Sequence, residues 1–587
     1  MAIGLLGIFL AAVVAGLNGR IPSLVLPDLR GALGIGIDEA SWLLTAYSAG
    51  ELAAMPFATW FAITFSMRRF HLAMLFSTLL LTWLMPYVQD LPLLLTLRVF
   101  QGLLGGAMIP LLMVACLRFL PLPIRLHGLA VFALVATFSP NIALWIASQW
   151  VDQLEDWRWV YWHVIPIGLL AAMLVGWGIP KMPLALPRMK QANWFGMLLG
   201  VPGLMLLVVG VDQGVRLDWF HSPLIVASFV AGGALFVLYL IGEWFHPAPF
   251  VSLRMLARRN IWIGLTLFGF LLMTMATAVT LPANLLANFQ GFRLAQSAPL
   301  GLIVGFPQLL LGSCVALLLY QRWADARYVF VAGLLCMAAA NWLASGITSE
   351  WMVQQFLWVQ VLHMLGQPLT MVSLLFLITS VMQPMEAPLV AGQVHIVRVF
   401  SATIGGAIIG QLTAVRSRFH SEMLLDNAGQ LMARLPSDDP GWVALSSTVA
   451  QQANVLAAAD IYRVFAVVAL LMIPLALMMQ RIPAPAMTST PPVTPSATPA
   501  TAASVAAYRP LKKARARVAL AKWRPSSSAE ASPSRCVDST SNKTSCSVIR
   551  RWSSASRTIT RCVPCEAWSI PFWLRWIGTS TGCTPPW

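Results

Sequence analysis

Residues 98–110 read Arg98-Val99-Phe100-Gln101-Gly102-Leu103-Leu104-Gly105-Gly106-Ala107-Met108-Ile109-Pro110, an arginine followed by an apolar run rich in small residues. An arginine inside a membrane helix is costly and normally faces the bundle interior or a water-filled cavity. Small residues let membrane helices approach closely. The stretch therefore predicts a membrane helix packed inside a helical bundle.

The composition of the whole chain also indicates a membrane protein. Of 587 residues, 58% are hydrophobic and 10% are charged, and the mean hydropathy is +0.74. Soluble domains carry about 25% charged residues. We therefore expect neither a soluble enzyme nor a nucleic-acid partner, despite the net charge of +16. Residues 482–587 hold 14 Lys and Arg against 3 Asp and Glu, so a tail of net charge +11 carries most of it.

Long apolar stretches predict fourteen membrane helices, since about 20 such residues cross the hydrocarbon core. They cover residues 2–26, 41–64, 71–89, 92–117, 127–150, 159–180, 193–212, 222–242, 261–287, 297–320, 328–346, 351–382, 388–413 and 461–480. The alternating segments of a membrane β-barrel are a different pattern. The sequence thus predicts an all-α polytopic membrane protein.

Basic residues predict the orientation of these spans, because Lys and Arg collect in cytoplasmic connections. The connections after even-numbered spans hold Arg68, Arg69, Arg118, Arg125, Lys181, Arg188, Lys190, Arg254, Arg258, Arg259, Arg322 and Arg327. Residues 383–386, after span twelve, contain no base. We expect a multi-pass inner-membrane protein in the lipid bilayer, with both termini in the cytoplasm.

Further sequence motifs resemble those of a known protein family. They are Trp157-Arg158-Trp159, Val211-Asp212-Gln213-Gly214, Leu281-Pro282, Gln290-Gly291-Phe292 and Phe306-Pro307. Together with Arg-x-x-Gln-Gly at Arg98–Gly102, they make roughly residues 1–481 similar to the fourteen-span drug:proton antiporters of the major facilitator superfamily, the EmrB/QacA type. The resemblance implies two six-helix bundles, with spans seven and eight between them, around a cavity that works by alternating access.

The resemblance also implies the domain organisation. We expect an N-terminal six-helix bundle at 1–180, two linking helices and cytoplasmic loops at 181–259, a C-terminal bundle at 260–481 with an outer loop at 414–460, and a basic, Pro/Ser-rich disordered tail at 482–587. The outer loop is either a packed cap or a docking surface. The tail is either an arm on anionic lipid, a segment without a role, or unrelated sequence joined to the transporter.

Several positions depart from the family pattern. The loop after span two keeps Arg68 and Arg69 but loses both glycines and the acid of Gly-x-x-x-acid and Gly-x-Arg-Arg. The span-five motif, Gly-Pro-x-x-Gly-Gly in the family, keeps only Pro140. The acid of span one is replaced by Asn18. We expect Arg68, Arg69 and Pro140 to serve conformational change, and the proton site to differ from the family's usual one.

Glu51 is the predicted proton carrier, because it is the acid that lies well inside a predicted span. It lies about 15 Å from the outer end of span two at 1.5 Å per residue, and Arg20 of span one lies at a similar depth. Ionisable residues at such depth are usually functional. We predict that Arg20 is the switchable partner of Glu51. A permanent structural ion pair, or contact of Glu51 with a neighbouring helix, is the alternative.

Weaker candidates complete the predicted site. Arg98 together with Gln101 is expected to shape the first bundle and the access of protons, or else to have a structural hydrogen-bonding role. Histidine titrates in the working pH range, although a lone histidine in a helix more often serves packing. The candidates for cavity or coupling are Asn18, Gln101, Asp212, His363, Gln393, His395 and Arg398.

The expected function is proton-coupled efflux of hydrophobic or amphiphilic toxic compounds, as by a multidrug exporter. The sequence has no Walker motif, metal-ligand cluster or nucleophile triad, so we expect no enzyme activity, cofactor or metal. The alternatives are a narrow-substrate metabolite transporter and a transport-inactive membrane sensor or scaffold. The resemblance implies a periplasmic adaptor protein and an outer-membrane channel as partners in a cell with two membranes.

Overall fold

The computed structural model describes residues 2–383, 386–432 and 441–484, and in these ranges the chain is all-helical. The helices are α1 (Ala2–Leu24), α2 (Leu26–Leu33), α3 (Ile37–Thr64), α4 (Met67–Leu84), α5 (Leu91–Phe119), α6 (Arg125–Ser148), α7 (Trp159–Trp162), α8 (Val164–Gly178), α9 (Trp194–Gly214), α10 (Pro223–Phe245), α11 (Arg259–Met275), α12 (Thr280–Gln290), α13 (Leu294–Leu319), α14 (Ala326–Ala344), α15 (Leu357–Thr379), α16 (Ala387–Met432) and α17 (Gly441–Leu477). Short helical turns lie at Met85–Tyr87, Leu122–Ile124, Gln149–Gln153, Leu186–Gln191, Trp219–His221 and Leu253–Ala257.

The prediction of an all-α polytopic membrane protein is confirmed. In the described ranges, thirteen helical segments are long and apolar enough to cross a membrane. Helix α3 is not among them, because its acidic and hydroxyl side chains lower its mean hydropathy. Its 28 residues nevertheless extend about 42 Å at 1.5 Å per residue, and it packs along α5. With α3, the helices correspond to the fourteen predicted spans.

The helices form two groups that face each other. In the first bundle, α1 to α8, α3 packs on α5 and α1 packs on α8. In the second bundle, α11 to α17, α14 packs on α15 and α17, and α16 packs on α11 and α17. The bundles meet where α6 contacts α13 and where α3 contacts α16. Helix α9 packs against α3 and α16, one helix from each bundle, and α10 packs on α9.

The contact between α6 and α13 depends on a glycine. A Cβ atom added to Gly301 of α13 would lie 2.1 Å from the carbonyl oxygen of Asn141 in α6. That distance is shorter than any real carbon–oxygen contact, so the two backbones can approach this closely only at a residue without a side chain.

Span nine is discontinuous, whereas the sequence predicted one stretch at 261–287. Helix α11 ends at Met275 and α12 begins at Thr280. Pro282 explains the break, because a proline has no N–H and its ring clashes with the carbonyl group four residues earlier, that of Ala278. The break leaves the start of a separate helix in the middle of the protein.

The predicted outer loop at 414–460 is largely helical. Helix α16 continues to Met432 and α17 begins at Gly441. We call residues 414–432 and 441–460 the helical hairpin, and the side of the protein on which it lies the hairpin side. The apolar side chains of Val415, Phe419 and Met423 are exposed on α16. These three residues of the extension are therefore not buried in a hydrophobic core. The predicted turn at 436–440 and the tail from residue 485 lie outside the described residues.

Candidate functional site

A cavity of about 1250 Å³ lies between the two bundles. It extends to the hairpin side, because Asn288, Thr413 and Ser447 line it. None of its described lining residues comes from the connections on the opposite side. Its charged lining residues are Arg20, Glu51, Asp212 and Arg398.

Glu51 and Arg398 form an ion pair on the cavity wall. Nη2 of Arg398 donates a hydrogen bond to Oε1 of Glu51 across 2.8 Å, and the two side chains are 15% and 16% exposed. The low exposure strengthens their attraction relative to a pair in water. Since α3 belongs to the first bundle and α16 to the second, this pair links the two bundles directly.

The predicted pairing of Glu51 with Arg20 is wrong. Nη2 of Arg20 instead donates a hydrogen bond to the hydroxyl of Thr280, at the start of α12. Arg20 and Glu51 both line the cavity, so their predicted depth is right. The partner differs because depth along a helix does not fix which neighbour a side chain faces, and α3 presents Glu51 to α16.

Glycines of α5 fix the position of Glu51. A Cβ atom on Gly106 would lie 2.2 Å from the carbonyl oxygen of Glu51, and one on Gly102 would lie 2.1 Å from that of Tyr47. Reciprocally, a Cβ atom on Gly50 of α3 would lie 2.2 Å from the carbonyl oxygen of Val99 in α5. This stretch of α5, singled out in the sequence for its small residues, therefore holds α3 and its carboxylate in place.

Arg98 lies in the core of the first bundle and does not line the cavity. It is fully buried, and its Nη1 donates to Oε1 of Gln101 at 2.7 Å and to the carbonyl oxygen of Asn18 at 3.4 Å. Thr82 accepts hydrogen bonds from both amides, at 2.8 Å from Gln101 and 3.2 Å from Asn18. Asn18 and Gln101 are buried in this core and do not line the cavity, so of the two expectations for them, cavity or coupling, a coupling role stays a prediction.

Tyr47 separates this core network from the cavity. Its ring lies 5.0 Å from the Arg98 guanidinium carbon, and its hydroxyl donates to the carbonyl oxygen of Ala15 at 2.8 Å. Tyr47 also lines the cavity. The sequence analysis missed this residue, because one tyrosine in an apolar helix carries no sequence signal of its position.

Asp212 lines the cavity near the end of α9, where its carboxylate accepts a hydrogen bond from the hydroxyl of Thr45. The adjacent Gln213 donates to the same hydroxyl at 2.6 Å. Arg216 then contacts both Gln213 and Asp38, at 2.7 Å each. These bonds tie α9 to the first half of α3.

Two candidates of the second bundle, Gln393 and His395, precede Arg398 on α16, on the side away from the hairpin. His395 is buried, with its ring 5.1 Å from that of Phe132 in α6. Gln393 donates to the carbonyl oxygen of Ser252 at 2.7 Å, away from the cavity. His363 is fully buried in α15 and does not line the cavity. Of the second-bundle candidates, Arg398 alone reaches the cavity, and a coupling role for Gln393, His395 and His363 stays a prediction.

The predicted conformational residues occupy different places. Pro140 lies inside α6 and lines the cavity. Arg68 donates to the carbonyl oxygen of Ile179 at the end of α8, at 3.4 Å, and Arg69 is exposed.

A polar cluster joins the bundles beside Pro140, and the sequence analysis missed it. Asn141 donates to Oε1 of Gln367 at 3.0 Å, and Gln308 donates to the same oxygen at 2.7 Å. Gln308 follows a proline and Gln367 precedes one. A polar residue next to a proline inside an apolar helix was the available signal.

Glu243 is a second buried acid, just beyond the predicted end of span eight. It is 2% exposed and accepts hydrogen bonds from Asn193 and from the backbone of Val251, at 3.0 Å each. It does not line the cavity, and its partners are neutral groups of nearby connections.

Comparisons with known proteins agree with this geometry. The family model described as Major Facilitator Superfamily matches residues 8–408. The fatty acid resistance protein FarB of Neisseria gonorrhoeae is 22% identical over 487 residues, which cover 80% of this chain and 94% of that protein. The multidrug export protein EmrB of Escherichia coli strain K12 is 25% identical over 305 residues, which cover 50% of this chain and 58% of that protein.

Solved structures show the same fold. The human organic anion transporter MFSD10 superposes with a TM-score of 0.51 at 13% identity, covering 81% of this chain and 99% of that one. A double tryptophan mutant of XylE gives a TM-score of 0.50 at 12% identity, covering 82% and 96%. The predicted resemblance to the superfamily is confirmed. On the match of the family model across most of its length, the chain belongs to the major facilitator superfamily.

Proposed function

We propose that this protein is a proton-coupled exporter of hydrophobic or amphiphilic toxic compounds, working by alternating access as a multidrug efflux pump. The observation that carries the proposal is the Glu51–Arg398 ion pair, which joins the two bundles on the wall of a large cavity. Relatives named multidrug export, colistin resistance and fatty acid resistance proteins support the export of such compounds.

The ion pair supplies a coupling mechanism. Glu51 holds Arg398 only while it is ionised, so protonation of Glu51 removes the charge that links the bundles. A proton that binds one conformation better than the other shifts the equilibrium between them. Proton entry from the hairpin side thus loosens this conformation and favours the one that opens to the opposite side.

The orientation follows from the basic connections. If the positive-inside rule holds, the hairpin side faces away from the cytoplasm and both termini lie in the cytoplasm. The cavity then opens outward, which is the state that releases a substrate and takes up a proton. Arg98 acts indirectly in this mechanism. Its hydrogen-bond network supports α5, the helix against which α3 packs and positions Glu51.

Partner proteins contact the hairpin in this proposal. The exposed apolar residues Phe419 and Met423 lie beyond the predicted end of the membrane span at 413, where a periplasmic adaptor leading to an outer-membrane channel would dock. Replacing both by serine should lower drug resistance of cells while leaving transport by isolated vesicles unchanged. Equal losses in both assays would contradict a docking role.

The decisive experiment measures proton release by inverted membrane vesicles on addition of hydrophobic drugs. Wild-type protein should dissipate the pH gradient, and Glu51→Gln should not. Glu243→Gln is the matched control, because Glu243 is also a buried membrane acid but lies outside the cavity. It should retain the response.

The other outcomes select between the alternatives. A response in the Glu51→Gln variant equal to that of the wild type would remove Glu51 from the mechanism. Failure of the wild type with every compound in a broad panel would overturn the multidrug proposal. A narrow-substrate metabolite transporter, or a membrane sensor or scaffold without transport, would then replace it.

A further inference from the structure

Arg20 is the cationic residue of the cavity that has no carboxylate partner in the described part of the chain. Of the four charged lining residues, Arg398 is paired with Glu51, and Asp212 accepts a hydrogen bond from Thr45. Arg20 donates only to the neutral hydroxyl of Thr280, and its Nε is buried without a hydrogen-bond partner there. An unneutralised guanidinium with an unused donor attracts an anion.

The start of α12 adds to this attraction. Thr280 and Leu281, its first two residues, line the cavity beside Arg20, as does the preceding Val279. The residue at the N-cap is Val279, and no side chain caps the helix. The free N–H groups and the dipole of a helix N-terminus favour negative charge. Discontinuous membrane helices use such ends to hold anionic groups of substrates.

Apolar side chains form much of the wall around this corner, beside Asn284 and Asn288 of α12. Leu272 and Met275 of α11 and Leu285 and Phe289 of α12 line the cavity together. Their side chains can accept a hydrocarbon chain with a gain of roughly 25 cal/mol for each Å² removed from water. The cavity therefore combines one cationic corner with a hydrophobic surface of the same helices.

We infer that the cavity binds amphiphilic carboxylates, with the carboxylate on Arg20 and the start of α12 and the hydrocarbon chain along α11 and α12. This inference rests on the proposed function only for the direction of transport. A lipophilic cation is the competing ligand. At the corner formed by Arg20 and the start of α12 the structure favours the anion, because Arg20 has no opposite charge beside it. Glu51 is neutralised by Arg398, so a cation would use Asp212, the other charged lining residue without an ion pair among the described residues.

The test compares three probes of equal chain length: decanoate, decanol and decyltrimethylammonium. Binding of each radiolabelled probe is measured on the full-length protein in phosphatidylcholine nanodiscs, with binding to empty nanodiscs subtracted. The variants are Arg20→Gln, which removes the charge, and Arg20→Lys, which keeps it. Arg293→Gln is the matched control, because Arg293 is exposed on the same side and does not line the cavity.

We expect Arg20→Gln to weaken decanoate binding at least about tenfold, the size of one charge-assisted hydrogen bond. Decanol binding should change less than about twofold, Arg20→Lys should retain most of the decanoate affinity, and Arg293→Gln should bind like the wild type. Unchanged decanoate binding in Arg20→Gln would overturn the inference. So would tighter binding of decyltrimethylammonium than of decanoate to the wild type, or an equal loss of all three probes in both Arg20 variants.

Failure of this inference differs from failure of the proposed function. If neutral and cationic drugs dissipate the pH gradient while decanoate binds without regard to Arg20, the exporter stands and the carboxylate site is overturned. If decanoate binding depends on Arg20 while no compound dissipates the gradient, the carboxylate site stands and the proposed function falls.

Discussion

Arg398 and Glu51 lie 347 positions apart in the sequence, and the hydrogen bond between them, 2.8 Å long, joins the two bundles. Both side chains are mostly withdrawn from solvent. Removal of one member of such a pair leaves an uncompensated charge at a site that water only partly reaches. The pair therefore contributes to the free energy of the conformation whose cavity reaches the hairpin side.

The first prediction concerns that conformation. Glu51→Gln should lower the population of the state open on the hairpin side, because the link between the bundles is lost. A cysteine replacing Ala402, which lines the cavity, should react at least about fivefold more slowly with a membrane-impermeant thiol reagent, in line with typical coupling free energies. The native cysteines are removed for this measurement.

A cysteine at Thr348 is the control for reagent access. Thr348 is exposed in the connection between α14 and α15 and does not line the cavity, so its labelling rate should not depend on Glu51. Faster or equal labelling at position 402 in Glu51→Gln would show that the ion pair does not hold the open state.

The second prediction concerns the packing that positions Glu51. Gly106→Ala should destabilise the protein by about 1–3 kcal/mol, the usual cost of overpacking, because its Cβ would lie 2.2 Å from the carbonyl oxygen of Glu51. Displacement of α3 should also abolish the drug-induced proton flux. Thermal unfolding followed by tryptophan fluorescence and the vesicle assay measure the two effects.

Gly406→Ala is the matched control for this substitution. Gly406 also lies in a helix and lines the cavity, but a Cβ there meets nothing within 4 Å. Alanine favours helix over glycine by up to about 1 kcal/mol, so stability should stay equal or rise. If both variants lose stability equally, close packing at Gly106 is not the cause.

The third prediction concerns Ser66, where the family pattern has glycine. Ser66 has φ of 70° and ψ of 124°, a backbone conformation that side chains other than glycine rarely adopt. Ser66→Gly should raise the free energy of unfolding by about 1 kcal/mol through relief of this strain. Ser66→Ala keeps the Cβ and removes the buried, unpartnered hydroxyl. An equal gain in the two variants would assign the effect to the hydroxyl and not to the backbone.

The membrane helices could be predicted from the sequence because the bilayer imposes their length and composition. The span within α3 could also be predicted, although this helix contains three acids, because its second half is apolar. The break in span nine was predictable in principle from Pro282, since a proline disturbs the turn before it.

The partner of Glu51 could not be predicted in the same way. Arg20 and Arg398 are both intramembrane bases, and hydropathy gives depth along a helix but not the direction of a side chain. The choice between them depends on how α3 meets α16, a contact between helices distant in sequence. The same reason hid Tyr47 and the Asn141–Gln308–Gln367 cluster, whose roles exist only once the bundles are assembled.

Glu386 lies in a connection without basic residues and pairs with an arginine of another connection. Residues 383–386 contain no base, yet Glu386 receives two hydrogen bonds from Arg258 of the preceding basic connection, at 2.6 and 2.7 Å. Arg258 also donates to the carbonyl oxygen of Val381 at 3.0 Å. Arg258 thus ties the start of α11 to the connection between α15 and α16.

The last prediction follows from the pKa of Glu386. The hydrogen bonds from Arg258 hold the pKa of this carboxyl below its usual value of 4.5. A carboxyl whose pKa is lower in the folded than in the unfolded protein contributes stability above its unfolded pKa, and this stability is lost as the pH falls through the folded value. Glu386→Gln should therefore lower stability at pH 7 by about 1 kcal/mol, a modest value because the pair is partly exposed, and this effect should shrink as the pH falls below the unfolded pKa.

Thermal unfolding of the purified protein between pH 7 and pH 3 checks this sign. The difference between wild type and Glu386→Gln should shrink as the pH falls below 4.5, because the carboxyl of the unfolded wild type then takes up a proton while that of the folded protein stays ionised until its lower pKa. Glu350→Gln is the control, since Glu350 is exposed and forms no ion pair among the described residues; its difference from the wild type should stay near zero throughout. A gap for Glu386→Gln that does not shrink between pH 4.5 and pH 3 would mean that the amide fails for reasons of shape, and that the charge of Glu386 is not what ties α11 to α16.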